Sequence, residues 1–338
     1  MQVKREYKKI LNTDLSNLLI THNQKLLSEF YEMQSSFLTD VYKKYHNIEK
    51  ANIVLYLSIK MHLEILRERE KNMDHNISLE NFWYNYNNVN KPTDKIISIV
   101  RATGIPKETA RRKIKDLLKI QQIKTQNNKN EYYWNVSEEN INFQLKSFEK
   151  EIEIIAKFVS ICATYLRLNM SREIVVEEIK SQFSFYWYHF LSSQLKWLKM
   201  WHDSLEDLDL VLIILQAVIP TLQHSEKLKN DGSITLDNLY MSLGKITNKD
   251  VILETSISAS SVADVTGIPR VTCIRKLDKL VELGLLIREV NTKRYFVNQQ
   301  TTSRTKKIFT KENVSFSIEN FSNYLAIIIN SIAGRQFR

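Results

Sequence analysis

Apolar residues recur at helical spacing through most of the chain, and the pattern predicts long amphipathic helices with few breaks. Strongly periodic stretches cover about 51–70, 141–167, 207–224 and 316–333, and a helix is also expected before residue 25. Short helices are predicted before and after the Gly-Ile-Pro sequences at 104–106 and 267–269, the later ones running from Lys107 to Ile120 and from Arg270 to Leu283. Strand-like runs follow each: Ile123–Gln126 with Tyr132–Val136, and Leu285–Val290 with Arg294–Val297. The polar stretches between them, Asn127 to Asn130 and Asn291 to Lys293, are hairpin chemistry.

The two regions repeat each other. TGIPKETARRKIKDLLKI at 103–120 matches TGIPRVTCIRKLDKLVEL at 266–283, and the offset of 163 holds without a gap to Asn135 and Asn298. Thr109/Thr272, Arg112/Arg275, Lys113/Lys276 and Leu117/Leu280 coincide. Upstream, ISLENFW from Ile77 matches ITLDNLY from Ile234, and a weaker echo pairs Phe30-Tyr31 with Phe185-Tyr186. The expected organisation is an N-terminal helical extension at 1–29, a first unit at 30–170 and a second at 171–338, with the boundary in the polar stretch Asn169–Arg172.

Six glycines and four prolines in 338 residues are too few for an all-β or Gly-rich nucleotide-binding fold. The fold class expected is mainly α, with two tandem winged helix-turn-helix units, long flanking helices and small hairpin wings. Gly104 and Gly267 suit a left-handed helix end, and Pro106 and Pro269 suit the first turn of the next helix. On that next helix Ala110, Ile114 and Leu117, or Cys273, Leu277 and Leu280, form the stripe expected to be buried.

The opposite face carries the candidate chemistry. In the first copy it holds Lys107, Glu108, Thr109, Arg111, Arg112, Lys115 and Lys119, with Lys129 and Asn130 in the hairpin turn. In the second it holds Arg270, Val271, Thr272, Ile274, Arg275 and Lys279, with Lys293 and Arg294 in the turn. Arg can reach phosphates or guanine edges, Glu can accept from cytosine N4, and Val or Ile offers apolar contact to a thymine methyl. The charge follows: residues 91–135 carry net +7, residues 256–310 carry +6 and the remainder −3. That is the electrostatic footprint of nucleic-acid contact.

These residues resemble the winged-helix transcription regulators of bacteria, of the MarR and IclR kind. The match is Thr-Gly-Ile-Pro followed by Thr, Arg-Lys-Leu, Leu and Leu-Gly-Leu-Leu at 266–286, with a looser twin at 103–123 where Gln121 stands at the place of Gly284. The long helices are similar to those that form the MarR-type dimer interface. This chain departs from the pattern by carrying two units. The resemblance implies a sequence-specific regulator that binds double-stranded DNA through two non-identical recognition helices, hence at an asymmetric site. A replication initiator with tandem winged helices and a winged-helix protein scaffold are the rival readings. A homodimer and a small-molecule effector are both compatible with this organisation.

Other features weigh less. Cys162 and Cys273, each within an apolar helical pattern, form no disulfide framework, and the seven histidines form no spaced metal motif. There is no GxGxxG, Walker-type, GxSxG or HExxH sequence, so no enzyme and no cofactor are expected. The aromatic stretch Phe183–Trp201 is read as packing between the two copies. No signal peptide or membrane span is recognisable, and Leu210–Ile219 suits a buried helix. A cytoplasmic protein at the nucleoid is the expected setting.

Overall fold

The computed structural model describes residues 9–126, 130–227, 254–298, 308 and 310–336. It is mainly helical, with 74% of these residues in helices and only short strands. Among the described residues no helix is long and apolar enough to cross a membrane.

The repeat is longer in the structure than in the sequence. Helices α1 (Asn12–Thr21) and α2 (Asn23–Tyr45) have counterparts of equal length 160 positions later, α8 (Arg172–Ser181) and α9 (Phe183–Leu205). Both pairs end alike: His46 at φ 54° donates its N–H to the Tyr42 carbonyl, and Glu206 at φ 59° donates to that of His202. The first residues are therefore part of the repeat and not an extension. Only apolar spacing is shared there (Leu15 and Leu19 against Val175 and Ile179, all buried), so the likeness is invisible to residue matching. Next come α3 (Ile48–Lys71) and its counterpart α10 (Asp209–Lys227), and α4 (Phe82–Asn88); the stretch from Ile234 that matches ISLENFW lies outside the described residues. Each repeat closes on a long helix, α7 (Ile141–Tyr165) or α13 (Lys311–Gln336), and the α7–α8 link contains the expected boundary.

Between these helices lies a module that recurs element by element. Helix α5 (Ile96–Thr103) matches α11 (Ala259–Thr266), and α6 (Lys107–Lys119) matches α12 (Arg270–Glu282), both at the offset of 163. Strands β2 (Ile123–Thr125) and β3 (Glu131–Trp134) pair antiparallel as Ile123 with Trp134 and Thr125 with Tyr132. In the second module β4 (Leu286–Arg288) and β5 (Tyr295–Val297) pair Leu286 with Val297 and Arg288 with Tyr295, the same register. A third edge is matched too: β1 (Asp94–Lys95) pairs Asp94 with Tyr132, and Ile257 bridges to Tyr295.

The repeated residues account for this likeness. The Thr103 and Thr266 hydroxyls donate to the carbonyls of Ile99 and Val262 and accept from the N–H of Ile105 and Ile268. Gly104 and Gly267 sit at φ 77° and 75°, where a side chain would be strained. Pro106 and Pro269 occupy the cap position one residue ahead of the expected first turn. At the far end Gln121, at φ 54°, takes the conformation Gly284 takes at 76°. The Asn135 amide donates to the Gln121 carbonyl at 2.6 Å and the Asn298 amide to that of Gly284 at 2.8 Å. The first hairpin thus starts where its twin does, despite lacking the glycine.

Two compact units result, and they do not coincide with the repeats. Of the described residues, one unit gathers those up to Asn12, Glu49–Lys199 and those from Asn320 onward; the other gathers Thr13–Ile48 and Met200–Glu319. Each unit thus joins the early helices of one repeat to the module of the other. In the second unit α2 packs along α10, with the Gln216 amide on the Ser35 hydroxyl at 2.9 Å. In the first unit α8 packs on α7, and Phe183 and Trp187 of α9 enter an aromatic core with Phe82, Trp134 and Phe148. Compactness follows where apolar faces find cover, which sequence similarity does not encode. The aromatic stretch is core: Phe183, Tyr186, Trp187, Phe190 and Trp197 are all buried.

His62 of α3 stands inside that core, stacked on Phe82 at 5.0 Å and edge-on to Phe183 at 5.5 Å. Burial without a polar partner for either nitrogen pushes its pKa down to about 3. The imidazole is held neutral while the unfolded chain takes up a proton below about pH 6.5, so its contribution is complete above that pH and is lost progressively towards pH 3. Stability of this unit is expected to fall by about 1.4 kcal/mol per pH unit over that window on account of His62; urea melts at pH 7 and pH 5 should differ accordingly, and H62F should remove this part of the difference. A second expectation concerns the hairpin. Q121G is expected to stabilise the first module by about 0.5–1 kcal/mol by relieving the left-handed backbone, and G284Q to destabilise the second by a similar amount, as read from denaturant midpoints.

Candidate nucleic-acid interface

The second helix of each module presents one buried and one solvated face. Ala110, Ile114 and Leu117 of α6 and Cys273, Leu277 and Leu280 of α12 are buried, as the periodicity requires. The Cys273 thiol, pushed up by burial, donates to the Ile268 carbonyl and is a core group.

Most of the expected site residues lie on the other face. Lys107, Glu108, Arg111, Arg112, Lys115 and Lys119 are exposed on α6, and Arg270, Val271, Arg275 and Lys279 on α12. Thr109, Thr272 and Ile274 are only half-exposed. They lie one residue from Ala110 or Cys273, at the flank of the buried stripe, so the free face is narrower than the sequence pattern implied. In the hairpins, Asn130, Lys293 and Arg294 are exposed, and Lys129 falls outside the described residues. The second hairpin turn is held by the Glu289 carboxylate, which accepts from both the N–H and the hydroxyl of Thr292.

Charge on this face is partly spent within the protein. Arg111 pairs with Glu108 at 2.6 Å and Lys279 with Glu282 at 3.2 Å, both exposed pairs three residues apart. Arg270 donates to the Ser260 hydroxyl at 3.0 Å and keeps its charge. Arg112 and Arg275, at matching positions, are exposed with no partner among the described residues. Arg101 on α5 and Lys124 on β2 share that property and were not singled out by the sequence pattern, since neither lies on the second helix.

The lysines next to the matched arginines have the opposite fate. One step along the helix turns the side chain by 100°, so Arg112 and Arg275 face solvent while Lys113 and Lys276 point inward. Lys113 Nζ lies 3.1 Å from Glu49 in the first turn of α3, both side chains largely buried. Lys276 Nζ lies 2.6 Å from Asp207 and 3.2 Å from Asp209, the latter in the first turn of α10. Asp209 also accepts the Ile48 backbone N–H at 3.0 Å; burial pushes its pKa up, opposed by Lys276 and that N–H. A second pair in the first module, Lys50 with Asp116 at 3.0 Å, holds the Asp116 carboxyl below its usual range. The same joint is built twice: a lysine of the second helix clamped to a carboxylate at the start of the long helix. The repeated lysine was visible in sequence; its partner was not, because the acidic residue sits 64 or more positions away.

Removing the lysine should expose what the joint does. K276M leaves Asp209 buried without its cation and is expected to cost about 3 kcal/mol, part of it recovered in K276M/D209N; a double-mutant cycle on thermal or urea unfolding measures both.

Comparison of the chain with protein-family models, with curated proteins and with solved structures gives no match.

Proposed function

We propose that the two modules are winged helix-turn-helix units and that the chain is a sequence-specific double-stranded DNA-binding protein acting as a transcription regulator. The observation that carries this reading is the duplicated geometry around Arg112 and Arg275. Two modules that share their turn and hairpin hydrogen bonds each set an arginine, with no partner among the described residues, on the solvated face of the second helix, beside a lysine turned inward. A helix of this kind fits the major groove, where arginine binds phosphate or the guanine edge, and a hairpin beside it can reach the neighbouring backbone.

The positive excess supports the same reading, because it belongs to the two module segments while the rest of the chain is slightly acidic. The two second helices differ at exposed positions, Glu108 against Val271 and Arg111 against Ile274, while their buried stripes keep apolar character. Two unlike readers in one chain call for a site with two dissimilar halves at fixed spacing.

Filter binding of the whole chain to a random duplex tests the reading. Log K should fall steeply with log salt, by ~0.9 per phosphate neutralised, and a flat dependence would overturn DNA binding. On a selected site, R112A and R275A are each expected to cost ~1–3 kcal/mol where the arginine holds a guanine edge; loss of neither affinity nor sequence preference in the double variant would show that these helices are not the readers.

A further inference from the structure

Resting on the DNA-binding reading, we propose that the two modules divide the work: the first anchors the duplex through phosphates, and the second chooses sequence through apolar contact with thymine methyl groups. The formal charges of the two segments, +7 and +6, hide this difference. Internal pairing removes equal numbers of both signs and leaves these totals unchanged. What differs among the described residues is where the exposed cations without a carboxylate partner lie: along α5, α6 and β2 in the first module, and at the start of α12 and the hairpin tip in the second.

In the first module Arg101, Lys107, Arg112, Lys115 and Lys124 are exposed with no partner among the described residues. They run from α5 along the whole solvated face of α6 and onto β2. At the offset of 163, three of those positions in the second module are Asp264, Asp278 and Ile287. Asp278 is itself engaged, accepting from the Tyr295 hydroxyl at 2.9 Å and from Arg288 at 3.5 Å. The far half of α12 is thus neutralised or acidic, since Lys279 pairs with Glu282. Cationic reach in the second module remains at Arg270 and Arg275 and at the hairpin tip, Lys293 and Arg294.

Beside those cations the second module presents bare hydrocarbon. Val271 is 79% exposed in the first turn of α12, and Val290 is 85% exposed next to the hairpin turn. At such exposure neither isopropyl group contributes much burial to the fold, and both are available to an apolar partner. Within a major groove the thymine C5-methyl is the apolar feature that such a group can cover. The first module holds Glu108 at that position, already engaged with Arg111.

Whole-chain variants test each half of the division. Replacing Arg101, Lys115 and Lys124 by Gln, all exposed positions, should lower the slope of log K against log salt on a random duplex by about 2–3. D264R, which installs the cation of the first module in the second, should steepen it by up to about 1. Val271→Ala should leave the slope unchanged. Wild-type protein should bind poly(dA-dT) about three- to fivefold more tightly than poly(dA-dU), which lacks only the methyl, and V271A should narrow that ratio, since alanine keeps one methyl and Val290 remains. An unchanged slope in the triple variant, or equal binding of both polymers by the wild type, would overturn the division while leaving DNA binding intact. Salt-independent binding by the wild type would instead overturn the DNA-binding reading beneath it.

Discussion

Helices α2 and α9 carry apolar or aromatic residues over so much of their surface that neither could stand in water alone. Leu26, Leu27, Phe30, Met33, Phe37 and Leu38 of α2 are buried, as are Phe183, Tyr186, Trp187, Phe190 and Leu191 of α9. Covering a side chain of this size is worth about 1.5–3 kcal/mol, so where these helices find cover sets the rest of the architecture. They find it in exchange: α2 on α10, in the unit that holds the second module, and α9 on the elements around the first.

The modules depend on that burial through their long helices. Helices α3 and α10 carry an acidic residue in their first turn, and the inward lysine of each second helix is clamped to it. A carboxylate in a first helical turn is stabilised by the unpaired N–H groups there, and the lysine then meets a fixed partner in largely buried surroundings. The orientation of each second helix is thereby tied to a helix that the core already holds. The arginine one residue earlier has its direction set by the same constraint.

The duplicated design is conservative inside and variable outside. Thr103 and Thr266, Gly104 and Gly267, and Asn135 and Asn298 make the same backbone contacts in both modules, and these fix the turn, the helix end and the hairpin. Gln121 shows how far the constraint reaches, since it adopts a glycine-like backbone to keep the hairpin in register. No such demand acts on solvated positions, where Asp278 stands in the second copy at the position of Lys115 and Val271 at that of Glu108.

Helical class, the two modules, their hairpins and the buried stripes were all legible in the sequence, because each rests on local rules: 3.6-residue periodicity, glycine at a left-handed helix end, and a polar turn between strands. The candidate face was legible for the same reason, apart from Thr109, Thr272 and Ile274 at its flank. The reach of the repeat back to α1, the exchange of early helices and the partners of Lys113 and Lys276 were decided by tertiary structure alone. In those cases the determining contact joins residues far apart in the chain, and the sequence shows only that each has an apolar face or a charge to satisfy. Which group satisfies it depends on what the folded chain brings within a few ångströms, and no local pattern carries that information.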